Sequence, residues 1–226
     1  VDGKLVAVGE GSAVVNVSFA GDYKYLPAQN KTISVSVSLI NASVSADDLK
    51  IDVGGVAAIN PVTLPGGLDV LYTIADKNIA DVDPSGNVVG INEGTTYINI
   101  TINGKGKYFE NSTMIEVTVS KMPSEIILSN DNVSLKVDDV VDSGASLSPS
   151  GAGNLTYAAS DEGVVKVVDG KLVAVGVGSA VVNVSFAGDY KYLPAQNKTI
   201  SVDVSKIPTV ISVVNSSLAL NVDDVV

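Results

Sequence analysis

The first 38 residues, VDGKLVAVGEGSAVVNVSFAGDYKYLPAQNKTISVSVS (1–38), return at 168–205 with two changes, Val177 standing in place of Glu10 and Asp203 in place of Ser36. The long period is therefore 167 residues, from position 1 to position 168. Between the copies runs a diverged version, GNVVGINEGTTYINITINGKGKYF from Gly86, which aligns with GKLVAVGVGSAVVNVSFAGDYKYL from Gly170 at an offset of 84. Self-similarity at a fixed period marks a repeat architecture, so the unit is a module of about 84 residues and two module types alternate.

Inside the quoted stretch the apolar period is two. Val182, Val184 and Phe186 alternate with Val181, Asn183 and Ser185, and Ile200, Val202 and Val204 alternate with Thr199, Ser201 and Asp203. The same pattern fits Ile98, Ile100 and Ile102, then Ile115, Val117 and Val119. Such alternation predicts strands with one buried and one wet face. Turn signals at Asp169-Gly170, Gly176-Val177-Gly178 and Gly188-Asp189 bound them, and helical periodicity is missing apart from a turn at Ser45 to Leu49. Several short strands per module predict an all-β chain of tandem two-sheet sandwiches.

Complete modules fall at 39–121 and 122–206, preceded by the C-terminal part of a module at 1–38 and followed by the opening strands of another at 207–226. The joints Ser120-Lys121-Met122-Pro123 and Ser205-Lys206-Ile207-Pro208 are short, and proline fixes φ at each, which favours a stiff, extended array. Two explanations fit the partial ends. The simpler is a window within a much longer polypeptide; in the other, a second copy supplies the missing strands head to tail. The tail has no counterpart of residues 142–167, so head and tail together do not rebuild a whole module.

Composition removes most chemistry. The 226 residues carry 14 lysines against 25 acidic residues, a net charge of -11, with no histidine and no cysteine. A phosphate backbone would be repelled, and the usual general base, soft-metal ligand, thiolate and disulfide are all absent. No apolar run approaches the roughly 20 residues that cross a bilayer as a helix, so no membrane insertion and no nucleic acid are expected. No cofactor and no metal are expected either. The acidic clusters Asp47-Asp48, Asp81 with Asp83, Asp138-Asp139 with Asp142, and Asp223-Asp224 lack calcium-loop spacing and read as solvated charges near turns, the alternative being hard oxygen ligands for calcium at module joints. Gly9-Glu10-Gly11 and Gly176-Val177-Gly178 lead into strands rather than helices, so they are turns and not dinucleotide loops. No enzyme is expected.

The run Ser160 to Ala180, SDEGVVKVVDGKLVAVGVGSA, resembles the signature of bacterial immunoglobulin-like domains of the intimin and invasin type. Its continuation Val184 to Tyr192, VSFAGDYKY, is similar to a segment of bacterial and archaeal immunoglobulin-like repeats, such as those of adhesin-like surface proteins of methanogenic archaea. The resemblance implies immunoglobulin-like sandwiches in an extracellular, cell-surface protein, serving as a stalk or filament or, alternatively, as adhesive modules for a glycan or protein on a partner cell. The partners it implies are neighbouring modules, other copies of the chain, or such a surface ligand. The middle module departs from the pattern: Gly104-Lys105-Gly106-Lys107-Tyr108 replaces the Gly-Asp-Tyr-Lys-Tyr of 21–25 and 188–192, so a ligand site in that loop would not occur in every module.

Ten Asn-X-Ser/Thr sequons, at Asn16, Asn30, Asn41, Asn99, Asn111, Asn132, Asn154, Asn183, Asn197 and Asn215, take ten of the 17 asparagines. Asn16, Asn99 and Asn183 lie on the polar side of strands, where a glycan would leave the core undisturbed. These ten are the candidate N-glycosylation sites of an exported protein.

Overall fold

Successive side chains of an extended chain point to opposite faces, so the alternating stretches become strands wherever a second apolar face is available to cover them. The structure, a computed structural model, describes residues 3–214 and 216–225. Over those residues the protein is all-β and contains no helix; the turn expected at Ser45 to Leu49 is an open connection with a strand starting at Leu49. The chain divides into two units, Val1–Met122 and Pro123–Val226.

The second unit shows how the motif folds when every strand has its partner. Its strands, numbered after the eleven of the first unit, are β12 (Glu125–Leu128), β13 (Asn132–Lys136), β14 (Val140–Asp142), β15 (Ala145–Ser148), β16 (Thr156–Ala159), β17 (Val165–Val168), β18 (Lys171–Ala174), β19 (Gly178–Phe186) and β20 (Ala195–Ser205). One sheet has the order β13-β20-β19-β16; facing it are β14-β18-β17 and the pair β12-β15. Val182, Val184 and Phe186 of β19 and Ile200, Val202 and Val204 of β20 meet Val165, Leu172 and Ala174 from the opposite layer and Ile126 from β12. Burying each large aliphatic side chain of this kind contributes about 1.5–3 kcal/mol. This strand order is that of an immunoglobulin-like sandwich.

One pairing in it is parallel. β13 lies beside β20 with Val133 opposite Val202 and Leu135 opposite Val204, and thereby covers the edge that the β19-β20 hairpin would otherwise leave open.

In the first unit, β3 (Ser43–Ser45), β4 (Leu49–Asp52), β5 (Val56–Ala58), β6 (Val62–Leu64), β7 (Val70–Ile74), β8 (Ala80–Val82), β9 (Asn87–Gly90), β10 (Gly94–Ile102) and β11 (Ser112–Ser120) repeat that plan. The orders are β4-β11-β10-β7, β5-β9-β8 and β3-β6, with β4 parallel to β11. Ile98, Ile100 and Ile102 of β10 and Ile115, Val117 and Val119 of β11 form its core with Val53, Ile59, Ala80 and Val88.

Ahead of this sandwich, β1 (Gly11–Val17) and β2 (Lys31–Val37) pair as a two-stranded antiparallel sheet. The register, Gly11 opposite Val37 through Val17 opposite Lys31, reproduces that of β19 and β20, yet no third strand joins it among the described residues. The same side chains consequently sit in two environments. Leu5 is 58% exposed and its equivalent Leu172 is 0%; Ile33 is 46% exposed and Ile200 is 0%. At the other end, 207–214 and 216–225 contain no strand, although the sequence there is strand-like. A short apolar-polar alternation has no ladder to enter without a neighbour, and only the turn at Asn221–Asp224 is formed.

Candidate functional site

The loop that joins the two long hairpin strands is built from three residue types with separate tasks. In 188–192, Gly188 adopts φ +79°, and a Cβ there would lie 2.8 Å from the carbonyl oxygen of Tyr192, so only glycine fits. Asp189 Oδ1 accepts hydrogen bonds from the backbone N–H groups of Lys191 and Tyr192, both at 2.7 Å, while the Asp189 N–H donates to the Tyr192 carbonyl at 3.0 Å. The Lys191 ammonium then sits 5.8 Å from the centre of the Tyr192 ring, within cation–π range. The copy at 21–25 repeats each element: Asp22 Oδ1 accepts from Lys24 and Tyr25 at 2.8 and 2.7 Å, and Lys24 lies 5.4 Å over Tyr25.

In the middle loop the aspartate is missing and the reversal is made by backbone instead. The Gly104 carbonyl accepts from the N–H groups of Lys107 and Tyr108 at 3.0 and 3.1 Å, Lys107 still covers Tyr108 at 5.3 Å, and Lys105 pairs with Asp69. What the middle loop loses is the tip aromatic. Tyr23 is fully exposed and Tyr190 largely so, whereas the chain between Gly104 and Lys107 carries only Lys105 and Gly106 at the tip. The loop thus serves as a structural closure in all three places and offers an aromatic contact in two. Replacing Asp189 by Ala removes two charge-assisted hydrogen bonds and is expected to lower the stability of the second unit by about 1–2 kcal/mol, read from its urea midpoint. An unchanged midpoint would contradict that closing role.

Of the ten sequon asparagines, Asn215 lies outside the described residues. Asn16, Asn30, Asn41, Asn99, Asn111, Asn132, Asn154 and Asn197 are exposed, and Asn183 is half-buried. Asn183 sits on β19 between β16 and β20, opposite Ala158 and Thr199, while its counterpart Asn99, flanked in the same way on β10 by Thr73 and Met114, is exposed. Alternation assigns a face and not a degree of exposure. Two sequon hydroxyls meet across that ladder: Thr156 Oγ1 and Ser185 Oγ are 2.8 Å apart, belonging to the Asn154 and Asn183 sequons. The Asn99 amide donates to its own sequon hydroxyl on Thr101 at 3.1 Å, and Asn132 donates to Asp131 at 2.8 Å. Asn30, Asn41, Asn111 and Asn154 lie on connections.

Of the acidic residues singled out in the sequence, Asp83, Asp139, Asp142 and Asp224 accept backbone N–H groups in turns, whereas Asp48 accepts from the Glu116 N–H of β11 at 2.8 Å and Asp81 pairs with Lys77. Asp83 Oδ1 accepts from the N–H groups of Ser85 and Asn87 at 2.8 and 2.9 Å, and Oδ2 accepts from the Asn87 amide at 2.8 Å. These bonds, the Asn87 side chain first, hold the Asp83 carboxyl below its ordinary pKa. A carboxylate depressed in the folded state adds stability at pH above its unfolded value and loses it as pH falls through the folded value. Asn87→Ala is therefore expected to move the Asp83 titration upward in an NMR pH series; an unmoved titration would remove Asn87 as the cause. Asp139 Oδ2 accepts from the Lys136 N–H and Asp224 from Asn221 in the matching turn. Among the described residues no group of three or more acidic side chains is placed to hold a metal ion, and no helix is long and apolar enough to cross a membrane.

No family model matches the sequence, and no curated protein matches it. Solved structures similar to the chain include domains 1–6 of the surface layer protein SbsC (16% identity, 88% of this chain and 32% of that one, TM-score 0.39). Others are Sidekick-1 immunoglobulin domains 1–5 (12% identity, 88% and 46%, TM-score 0.39) and Drosophila N-cadherin EC1–4 (13% identity, 87% and 58%, TM-score 0.34). The chain spans about a third of the length of the SbsC structure.

Proposed function

We propose that the chain is a structural repeat region, a stalk or filament-forming segment of an extracellular, cell-surface adhesin-like protein of archaeal type, and that it carries no catalysis. The observation that supports this most is the reuse of one building block. The 38-residue stretch occurs twice with 36 identities, and the two copies form hairpins in the same register. A protein that projects or polymerises needs equivalent pieces; a receptor site needs a loop unlike its neighbours, and the one loop that differs loses its aromatic tip.

Electron microscopy of the native material tests it. Filaments with an axial repeat of one or two modules are expected, and isolated globular particles would refute polymerisation. Export with N-glycans is part of the same reading. Glycopeptide mass spectrometry on native protein should find hexose-containing masses at the exposed sequons on connections, Asn30, Asn41, Asn111 and Asn154, with lower occupancy at half-buried Asn183. Uniformly bare asparagines would refute it. An adhesive role has one specific observation in its favour, the fully exposed Tyr23 and its counterpart Tyr190. Loss of binding to a glycan array on Tyr23→Ala plus Tyr190→Ala would favour that alternative.

A further inference from the structure

Seven sequons fall within 39–206, and one position stands apart from the others. Asn99-Ile100-Thr101 and Asn183-Val184-Ser185 lie at an offset of 84, so both module types keep this sequon; those of Asn41, Asn111, Asn132, Asn154 and Asn197 have no counterpart in the other module. The shared sequon is also the one held most firmly by the fold. Residues 99–101 run through β10, paired on one side with 112–114 of β11 and on the other with 71–73 of β7. Residues 183–185 run through β19, paired with 156–158 of β16, and Asn183 and Val184 pair also with Thr199 and Lys198 of β20. The middle residues of the two sequons, Ile100 and Val184, are core side chains, both 0% exposed.

Their reactive groups are engaged within the sheets. Asn99 Nδ2 donates to Thr101 Oγ1 at 3.1 Å, and the Ser185 hydroxyl lies 2.8 Å from Thr156 Oγ1. N-glycosyl transfer joins the asparagine amide nitrogen to the anomeric carbon of a donor sugar. The bond from that carbon to the diphosphate of a lipid carrier breaks, and the nitrogen gives up one proton. The transferase has to hold the amide together with the hydroxyl two residues on, which a sequon on a free surface loop permits. Bending 99–101 or 183–185 into such a loop strips hydrogen bonds from both neighbouring strands and draws Ile100 or Val184 into water. Opening of that kind approaches unfolding of the whole unit, whereas chain beside a strand end opens readily. Asn41 and Asn154 illustrate the second situation: each lies on a connection, and its hydroxyl residue, Ser43 or Thr156, is only the first residue of a short strand.

We propose that the acceptor at Asn99 and Asn183 is the unfolded chain. A glycan is joined there before β10 and β19 enter their sheets, and folding then closes the position to the transferase, while Asn41 and Asn154 stay open to it afterwards. Both strand asparagines alternate with the inward Ile98, Ile100, Val182 and Val184, so a glycan joined early stands on the outward face and leaves the core free to close. Occupancy at the shared position is then set by the race between transfer and folding. This rests on the reading of the sequons as used acceptors and adds the state of the chain in which two of them are used.

The full chain, made without glycans, is given to an oligosaccharyltransferase with a lipid-diphosphate-linked glycan, and occupancy is read site by site by glycopeptide mass spectrometry. Two variants are treated alongside it, Ile115→Asp and Ile200→Asp, each of which puts a carboxylate into one core without touching a sequon; circular dichroism follows the loss of strand structure. Relative to the folded chain, Ile115→Asp is expected to raise occupancy at Asn99, and Ile200→Asp at Asn183, by at least about tenfold, with Asn41 and Asn154 within about threefold throughout. Occupancy at Asn99 and Asn183 as high in the folded chain as in the variants would overturn the proposal, and so would absence of transfer to them in the unfolded units. The two readings fail separately: bare asparagines in native material refute use of the sequons, whereas equal occupancy here refutes the order of events.

Discussion

Ile200→Ala is expected to destabilise the second unit by about 2–5 kcal/mol, while Ile33→Ala, the same change in the same local sequence, changes no unfolding free energy by more than about 0.5 kcal/mol. Ile200 is fully buried on β20 opposite Val182, inside a core that draws on both layers of the sandwich. Removing its side chain beyond Cβ leaves a cavity that the surrounding strands relax into only in part. Ile33 stands opposite Val15 in a hairpin with identical register, but among the described residues no second sheet layer covers its face, and it is already half in water. The contrast isolates tertiary cover from local propensity, since neighbours along the chain are the same in both places. Urea unfolding of dilute samples, where association cannot cover the hairpin, is the measurement. Equal losses at the two positions would mean that β1-β2 is packed as a sandwich after all.

Gly86→Ala is expected to cost the first unit about 2–4 kcal/mol, from two additive sources. Gly86 adopts φ +85°, which a side chain rarely tolerates, and a Cβ built there falls 2.9 Å from the Tyr72 ring. The ring has to move. Burial, and then the charge of Asp83, hold the Tyr72 hydroxyl above its ordinary pKa, so displacing the ring into water should bring that pKa down. Gly170 occupies the same turn of the second unit with φ +76°, yet its nearest neighbour is the Tyr157 hydroxyl at 3.8 Å, so Gly170→Ala should cost only the backbone part, about 1–2 kcal/mol. Denaturation of the two variants, with an ultraviolet titration of tyrosine for Gly86→Ala, separates the contributions. Equal costs without a change in the tyrosine titration would show that the ring does not constrain the turn.

The strands were readable because period-two alternation is local: Ile98, Ile100 and Ile102, or Val182, Val184 and Phe186, announce a buried face without knowledge of what covers it. The turns were readable for a similar reason, since Asp169-Gly170 and Gly188-Asp189 need positive φ or a side-chain acceptor that few other residues supply. What the sequence left open is every relation that depends on a distant partner. The parallel pairing of β4 with β11 and β13 with β20 joins the two ends of a sandwich, and no property of Leu49 or Leu135 specifies direction. Asn183 is half-buried where the equally flanked Asn99 is exposed, a difference the alternation does not carry, and the middle loop closes through the Gly104 carbonyl where an aspartate side chain does the work elsewhere. The tail is the clearest case: SLALNVDDV has the strand pattern and forms its turn, but stays unpaired because pairing is a property of two segments. For the candidate site, the residue types in the loop and the sequons could be named in advance, whereas their exposure could not.

Mechanical unfolding of single chains tests the structural reading most directly, because a stalk built of independently folded modules should yield one module at a time. If 39–121 and 122–206 are such modules, pulling the chain by its ends gives two events of equal size, each releasing about 25–30 nm of contour length for roughly 84 residues. A single event releasing the whole chain, or unfolding without any resolved step, would contradict it.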